Sequence, residues 1–225
     1  MFGLQIDPAA IIAVGIMLLV GFPVHEFSHA LAAYRLGDGT AKMFGRLTLN
    51  PIVHFDPLGG LLLVISALGT GFFFGWAKPT PVNPFNLRGG RTGEALVAAA
   101  GPLSNLILAA AFALPLRYIL TSGTEIPAIV HNTLVNLVSL NLLLMVFNLI
   151  PIPPLDGSKV LFAALDRGTE YRIRPVLEQY GFLILIAAVF LPILPGRQTV
   201  VGAVVSEVLG PLFELLVGQP PFRLR

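Results

Sequence analysis

Cysteine is absent from this chain of 225 residues. That excludes disulfides and thiolate metal sites, so any metal must be held by His, Asp, Glu or Asn. Charge is scarce as well: 12% of residues are Asp, Glu, Lys or Arg, where a soluble domain carries about 25%. Long polar stretches are missing, which argues against an appended soluble domain. No basic leader with a small-residue cleavage site opens the chain, so the first apolar segment is expected to stay in the mature protein. What remains is apolar, 55% hydrophobic with a mean hydropathy of +0.82. The composition is that of an integral membrane protein. A net charge of +2 and a pI near 9.2 would hint at nucleic acid in a soluble protein. Here the basic residues sit in short loops and set topology, and no nucleic-acid partner is expected.

Apolar runs separated by Pro and Gly predict an all-α polytopic membrane protein. Pro8 to Tyr34, Glu94 to Arg117, Pro127 to Ile150 and Tyr180 to Leu194 are the predicted spans. Pro23 removes a backbone hydrogen bond just upstream of itself and should kink the first span there. Ala98, Ala99, Ala100, Gly101 and Ala109 should let the second pack closely. Thr199 to Val217 is a poor span or an interfacial helix, because it carries Glu207 and Glu214. Between the first two spans, Lys42 to Asn50 alternates in polarity and predicts a short surface strand. Its free edge could hold an unwound substrate. Leu58 to Phe74 is apolar but broken by glycines. The whole of 1–225 reads as one membrane-embedded unit, with a three-helix core over about 8–165 and C-terminal helices over about 175–217.

Within the first span stands His25-Glu26-Phe27-Ser28-His29. Positions i and i+4 share one helix face, so both imidazoles can reach one metal ion. The carboxylate at i+1 lies off that line, where it can meet a water activated by the metal. Charge at membrane depth is costly and marks function. A catalytic zinc takes three protein ligands. The candidates for the third are Asp156, Glu207, Glu214, Glu94, His54 and His131. Asp156 leads because it follows the break Pro151-Ile152-Pro153-Pro154, and irregular backbone at membrane depth lines protein or a cavity. As a plain helix N-cap it would have the same sequence context.

Taken together, His25-Glu26-x-x-His29 and Asn148-x-x-Pro151-x-Pro153-Pro154-Leu155-Asp156-Gly157 resemble the site-2 protease family of intramembrane zinc metalloproteases. Ala100-Gly101-Pro102-Leu103-Ser104-Asn105 is similar to the Gly-Pro span between those motifs. Gly45 to Pro51 and Pro81-Val82-Asn83-Pro84 resemble a compact subgroup without PDZ or CBS domains. The resemblance implies one Zn2+ held by His25, His29 and Asp156, with Glu26 as general base. It also suggests Asn148 as a donor to the scissile carbonyl or its oxyanion. The implied substrates are membrane proteins with a transmembrane segment, cut in or near it within the lipid bilayer of a bacterial or archaeal cell membrane.

Two histidines late in one span and an aspartate just after another must meet at one depth. The two spans therefore run in the same direction, with Glu94–Arg117 opposite, and Leu58–Phe74 should re-enter rather than cross. If Thr199–Val217 spans, twelve of the fourteen Lys and Arg then share one side, against Arg117 and Arg197. That side is cytoplasmic by the positive-inside rule. Two other function classes remain open from sequence: a metal-ion transporter and a catalytically inactive scaffold. An intact Glu26 beside the first histidine argues against both. His54 reads as a turn residue or an auxiliary group near the metal.

Overall fold

The computed structural model describes residues 7–69, 76–193, 195 and 198–220. Among these there are helices and connecting loops but no β-strand. Five helical stretches are long and apolar enough to cross a membrane: Pro8–Arg35, Arg91–Ser122, Ala128–Asn148, Arg167–Phe190 and Val200–Val217.

The first stretch has three parts: α1 (Pro8–Ile16), a π-helical turn (Met17–Gly21) and α2 (Phe22–Arg35). Asp7 caps α1 by accepting from the Ala9 N–H, with Pro8 in the first turn. Pro23 cannot donate to the turn before it, and a widened π-helical turn lies just upstream, where a kink was expected.

The Lys42–Asn50 strand is not formed, and the substrate-edge reading built on it is withdrawn. Residues Thr40–Met43 are a short helix, α3, which ends at Gly45 with a φ of +67°. Arg46 then turns inward, its backbone N–H on the Ala41 carbonyl (2.8 Å) and its guanidinium on the Val53 carbonyl. Asn50 accepts from the Ile52 N–H ahead of Pro51 and so opens α4 (Pro51–His54). Helix caps claim the ends of the segment, and a period-2 pattern this short cannot override them.

Helix α5 begins at Pro57 and is described as far as Gly69. The chain returns to where it left. The Lys78 N–H donates to the His54 carbonyl (2.9 Å). Gly59 lies so close to the Trp76 backbone that a Cβ there would sit 2.1 Å from its oxygen. The two flanks of the Leu58–Phe74 stretch thus lie together, as the re-entrant expectation requires; residues 70–75, which complete it, lie outside the described residues.

After a loop with one 3-10 turn come α6 (Arg91–Ser122) and α7 (Ala128–Asn148), joined by five residues and so antiparallel neighbours. α8 (Gly157–Ala164) follows the Pro-rich break. α9 (Arg167–Phe190) begins earlier than the apolar run suggested. Asp166 caps it by accepting from Thr169, and Arg174 pairs with Glu170 and Glu178 one turn to either side, which carries the helix through its polar half. α10 (Val200–Val217) is a full-length candidate span, with Glu207 and Glu214 on its exposed face.

Small residues set the packing, as expected where lipid offers no hydrophobic drive. Ala109 and Ala113 of α6 meet Val138 and Leu142 of α7 and Phe213 of α10 in one buried cluster. A second cluster, Ile150 and Leu155 against Leu185, Ala188 and Val201, seats the Pro-rich break on α9 and α10. The backbone ahead of Asp156 is thereby held although it is irregular.

Candidate metal centre

His25 and His29 lie one turn apart on α2, and Asp156 stands at the N-terminal end of α8. The Asp156 Oδ2 is 3.4 Å from His25 Nε2 and 3.2 Å from His29 Nε2, and the two Nε2 atoms are 3.0 Å apart. All three residues are buried, and their ligand atoms lie within 4.8 Å of one another. Two helices far apart in sequence therefore supply one cluster.

The ring nitrogens facing away are held. His29 Nδ1 is 2.7 Å from the Val97 carbonyl, and His25 Nδ1 is 2.6 Å from Asn105 Oδ1. A backbone carbonyl can only accept, so the proton of neutral His29 sits on Nδ1 and its Nε2 carries the lone pair. With His25 in the same tautomer, two lone pairs and a carboxylate face one point with no proton among them. Such a set is repulsive until a cation sits in it, and two N donors with one O donor suit zinc.

Gly101 of α6 gives the imidazoles their space. A Cβ there would lie 2.3 Å from His29 Nε2 and 2.7 Å from His25 Cε1. The buried face of α6 at this level thus has to be glycine.

Glu26 points to a different partner. Its Oε2 accepts from the Thr80 N–H and from the Thr80 hydroxyl, both at 2.8 Å, and its own carbonyl accepts from that hydroxyl at 3.0 Å. Thr80 lies in an irregular loop pinned on both sides: Lys78 on His54, and the Asn83 N–H on Asp38 Oδ2 at 2.7 Å. One carboxylate oxygen of Glu26 is held, and among the described residues no bond holds Oε1.

The other candidates lie elsewhere. Glu94 pairs with Arg174 (3.3 Å). Glu207 and Glu214 are exposed. His131 Nδ1 meets its neighbour Asn132. His54 is buried with Nε2 2.7 Å from the Thr48 carbonyl, which is the turn-residue reading. Asn148 ends α7 and donates its amide to the Leu144 carbonyl at 2.9 Å, within its own helix. Thr80, Asp38 and Asn105 were not singled out for the site by sequence. Asn105 alone gave a signal, as the last residue of the Gly-Pro motif.

Residues 115–191 match the model of Peptidase family M50, a range that takes in Asn148 and Asp156 but not His25 and His29. The chain is 40% identical over 182 residues to YwhC of Bacillus subtilis (strain 168), covering 79% of this chain and 80% of that protein. It is 33% identical over 202 residues to Rip2 of Mycolicibacterium smegmatis, covering 84% and 72%. It is 34% identical over 152 residues to Rip3 of Mycobacterium tuberculosis (strain H37Rv), covering 68% and 30%. All three carry the name of a zinc metalloprotease. No solved structure matches.

Proposed function

The chain is a membrane-integral zinc metalloprotease of peptidase family M50, and we propose that it cuts peptide bonds in or beside the transmembrane segments of other membrane proteins. The observation that carries the reading is the convergence of His25, His29 and Asp156 from separate helices, with Glu26 next in sequence to the first imidazole.

In this reading His25, His29 and Asp156 hold the zinc. When bound, zinc supplies Lewis acidity, which polarises the scissile carbonyl and makes water acidic enough to attack near neutral pH. Glu26 takes the proton of the attacking water through Oε1, while Thr80 keeps Oε2 fixed, and then passes it to the leaving amine. Asn148 acts as donor to the oxyanion by turning its amide away from the Leu144 carbonyl, a motion a terminal helical turn permits. A helical substrate hides its carbonyls, so the scissile stretch has to unwind before attack.

The site faces the cytoplasm in this proposal. Asp156 adjoins Lys159 (3.8 Å), and Arg91, Arg172 and Arg174 belong to the same end of the bundle by chain direction. Because the chain has no cysteine, Phe44→Cys gives a single thiol at an exposed position. A membrane-impermeant maleimide should label it in inverted vesicles and not in intact cells.

The deciding experiment is cleavage of a single-span reporter by purified protein in detergent or vesicles, with zinc measured on the same samples. The wild type should cut, and Glu26→Gln should hold zinc without cutting. Zinc flux into vesicles with no cleavage would point to a transporter instead.

A further inference from the structure

Behind His25 runs a chain of two buried amides, Asn105 in α6 and Asn141 in α7, both fully removed from solvent. Asn141 Nδ2 lies 2.8 Å from the Leu137 carbonyl and 3.2 Å from the Met17 sulfur. Neither neighbour can donate: one is a backbone carbonyl, the other a thioether. The amino group of Asn141 must therefore face them, and its Oδ1 must face Asn105. Asn105 meets that oxygen with its own amino group at 3.2 Å, so Asn105 Oδ1 turns to His25 Nδ1, 2.6 Å away. An oxygen there requires the imidazole proton on Nδ1. The lone pair is left on Nε2, which faces His29 and Asp156.

We infer that Asn141 and Asn105 are positioning residues that fix His25 in its metal-binding tautomer. The reading rests on His25 being a zinc ligand. The direction of the whole relay is set at its far end, by the Leu137 carbonyl and the Met17 sulfur. Met17 is the first residue of the π-helical turn upstream of Pro23, so the disturbed turn has a use: it carries an acceptor to Asn141. Without Asn141, the Asn105 amide is free to flip. Its amino group would then meet His25 Nδ1, shift the ring proton to Nε2 and block the ligand atom. Asn141 touches none of the metal-facing atoms, so a packing role alone would leave the tautomer untouched.

The test uses full-length protein in detergent. With four histidines in the chain, 15N-imidazole spectra of metal-free protein at alkaline pH can be assigned by single substitutions. Wild-type His25 should carry its proton on Nδ1. Asn141→Leu should move His25 to the other tautomer or a mixture, and weaken zinc binding, measured against a chelator, by about 10-fold. Asn105→Leu should weaken it by about 10- to 100-fold. Asn141→Asp keeps an acceptor oxygen toward the Asn105 amino group, so it should restore both properties. A wild-type His25 protonated on Nε2, or an Asn141→Leu protein with unchanged tautomer and zinc affinity, overturns the relay. Equal zinc binding by wild type and His25→Ala instead strikes the ligand assignment, and leaves the tautomer result standing.

Discussion

Two buried carboxylates, Asp38 and Asp156, show opposite ways of removing an acidic group from solvent. Asp38, in the turn after α2, collects the Thr40 N–H and hydroxyl, the Asn83 N–H and the Asn86 amide. Burial alone would raise its pKa, but these four donors hold it below the usual value. Its hydrogen-bonding is complete within the protein. Asp156 faces two imidazole nitrogens whose protons point the other way. Oδ1 has Lys159 beside it at 3.8 Å, but Oδ2 is matched only when a cation sits among it and the imidazoles. A satisfied carboxylate ties a loop, and an unsatisfied convergent set is built to bind.

The comparison breaks most sharply at the metal side. His25→Ala should lose both zinc and proteolysis, read by metal analysis and reporter cleavage. Glu26→Gln should keep zinc and lower cleavage by about 10²–10⁴-fold, because it would remove the proposed base and not a proposed ligand. Gly101→Ala should lose zinc by steric means alone, since its methyl would overlap both imidazoles; metal content checks it.

On the Asp38 side the effects fall on stability. Asp38→Ala leaves buried donors of the Thr80 loop unpaired and should cost about 1–3 kcal/mol, seen as a lower Tm with zinc retained. Because the folded pKa is depressed, the contribution of Asp38 is fully present above its unfolded value, about 3.9. It fades as pH falls through the lower folded value. Asp38→Asn should therefore flatten that part of the acid denaturation profile. The smallest effect belongs to Thr80→Val. It removes the hydroxyl and leaves the backbone N–H on Glu26, so cleavage should fall less than about tenfold with zinc unchanged.

Much of the architecture could be read from apolar length alone, because a bilayer fixes how long a span must be. The histidine pair was legible because its geometry is local, one helical turn. Asp156 was legible because a Pro-rich break in an apolar chain needs a reason. Asp38 and Thr80 were not, and Asn105 only as the end of a motif, since each takes its role from residues 36 to 80 positions away that only packing brings near. Lys42–Asn50 misled because alternation over nine residues is also what a short helix, a glycine turn and an Asn-Pro cap leave behind. The start of α9 was missed because ion pairs along its polar half, and not hydropathy, carry the helix there.

X-ray absorption at the zinc edge, on wild type and on Asp156→Ala, tests the central claim most directly. One zinc per chain, with two imidazoles and a carboxylate oxygen that disappears in the variant, is the predicted result. Zinc with the same ligands in both proteins, or a wild type that holds none, would contradict it.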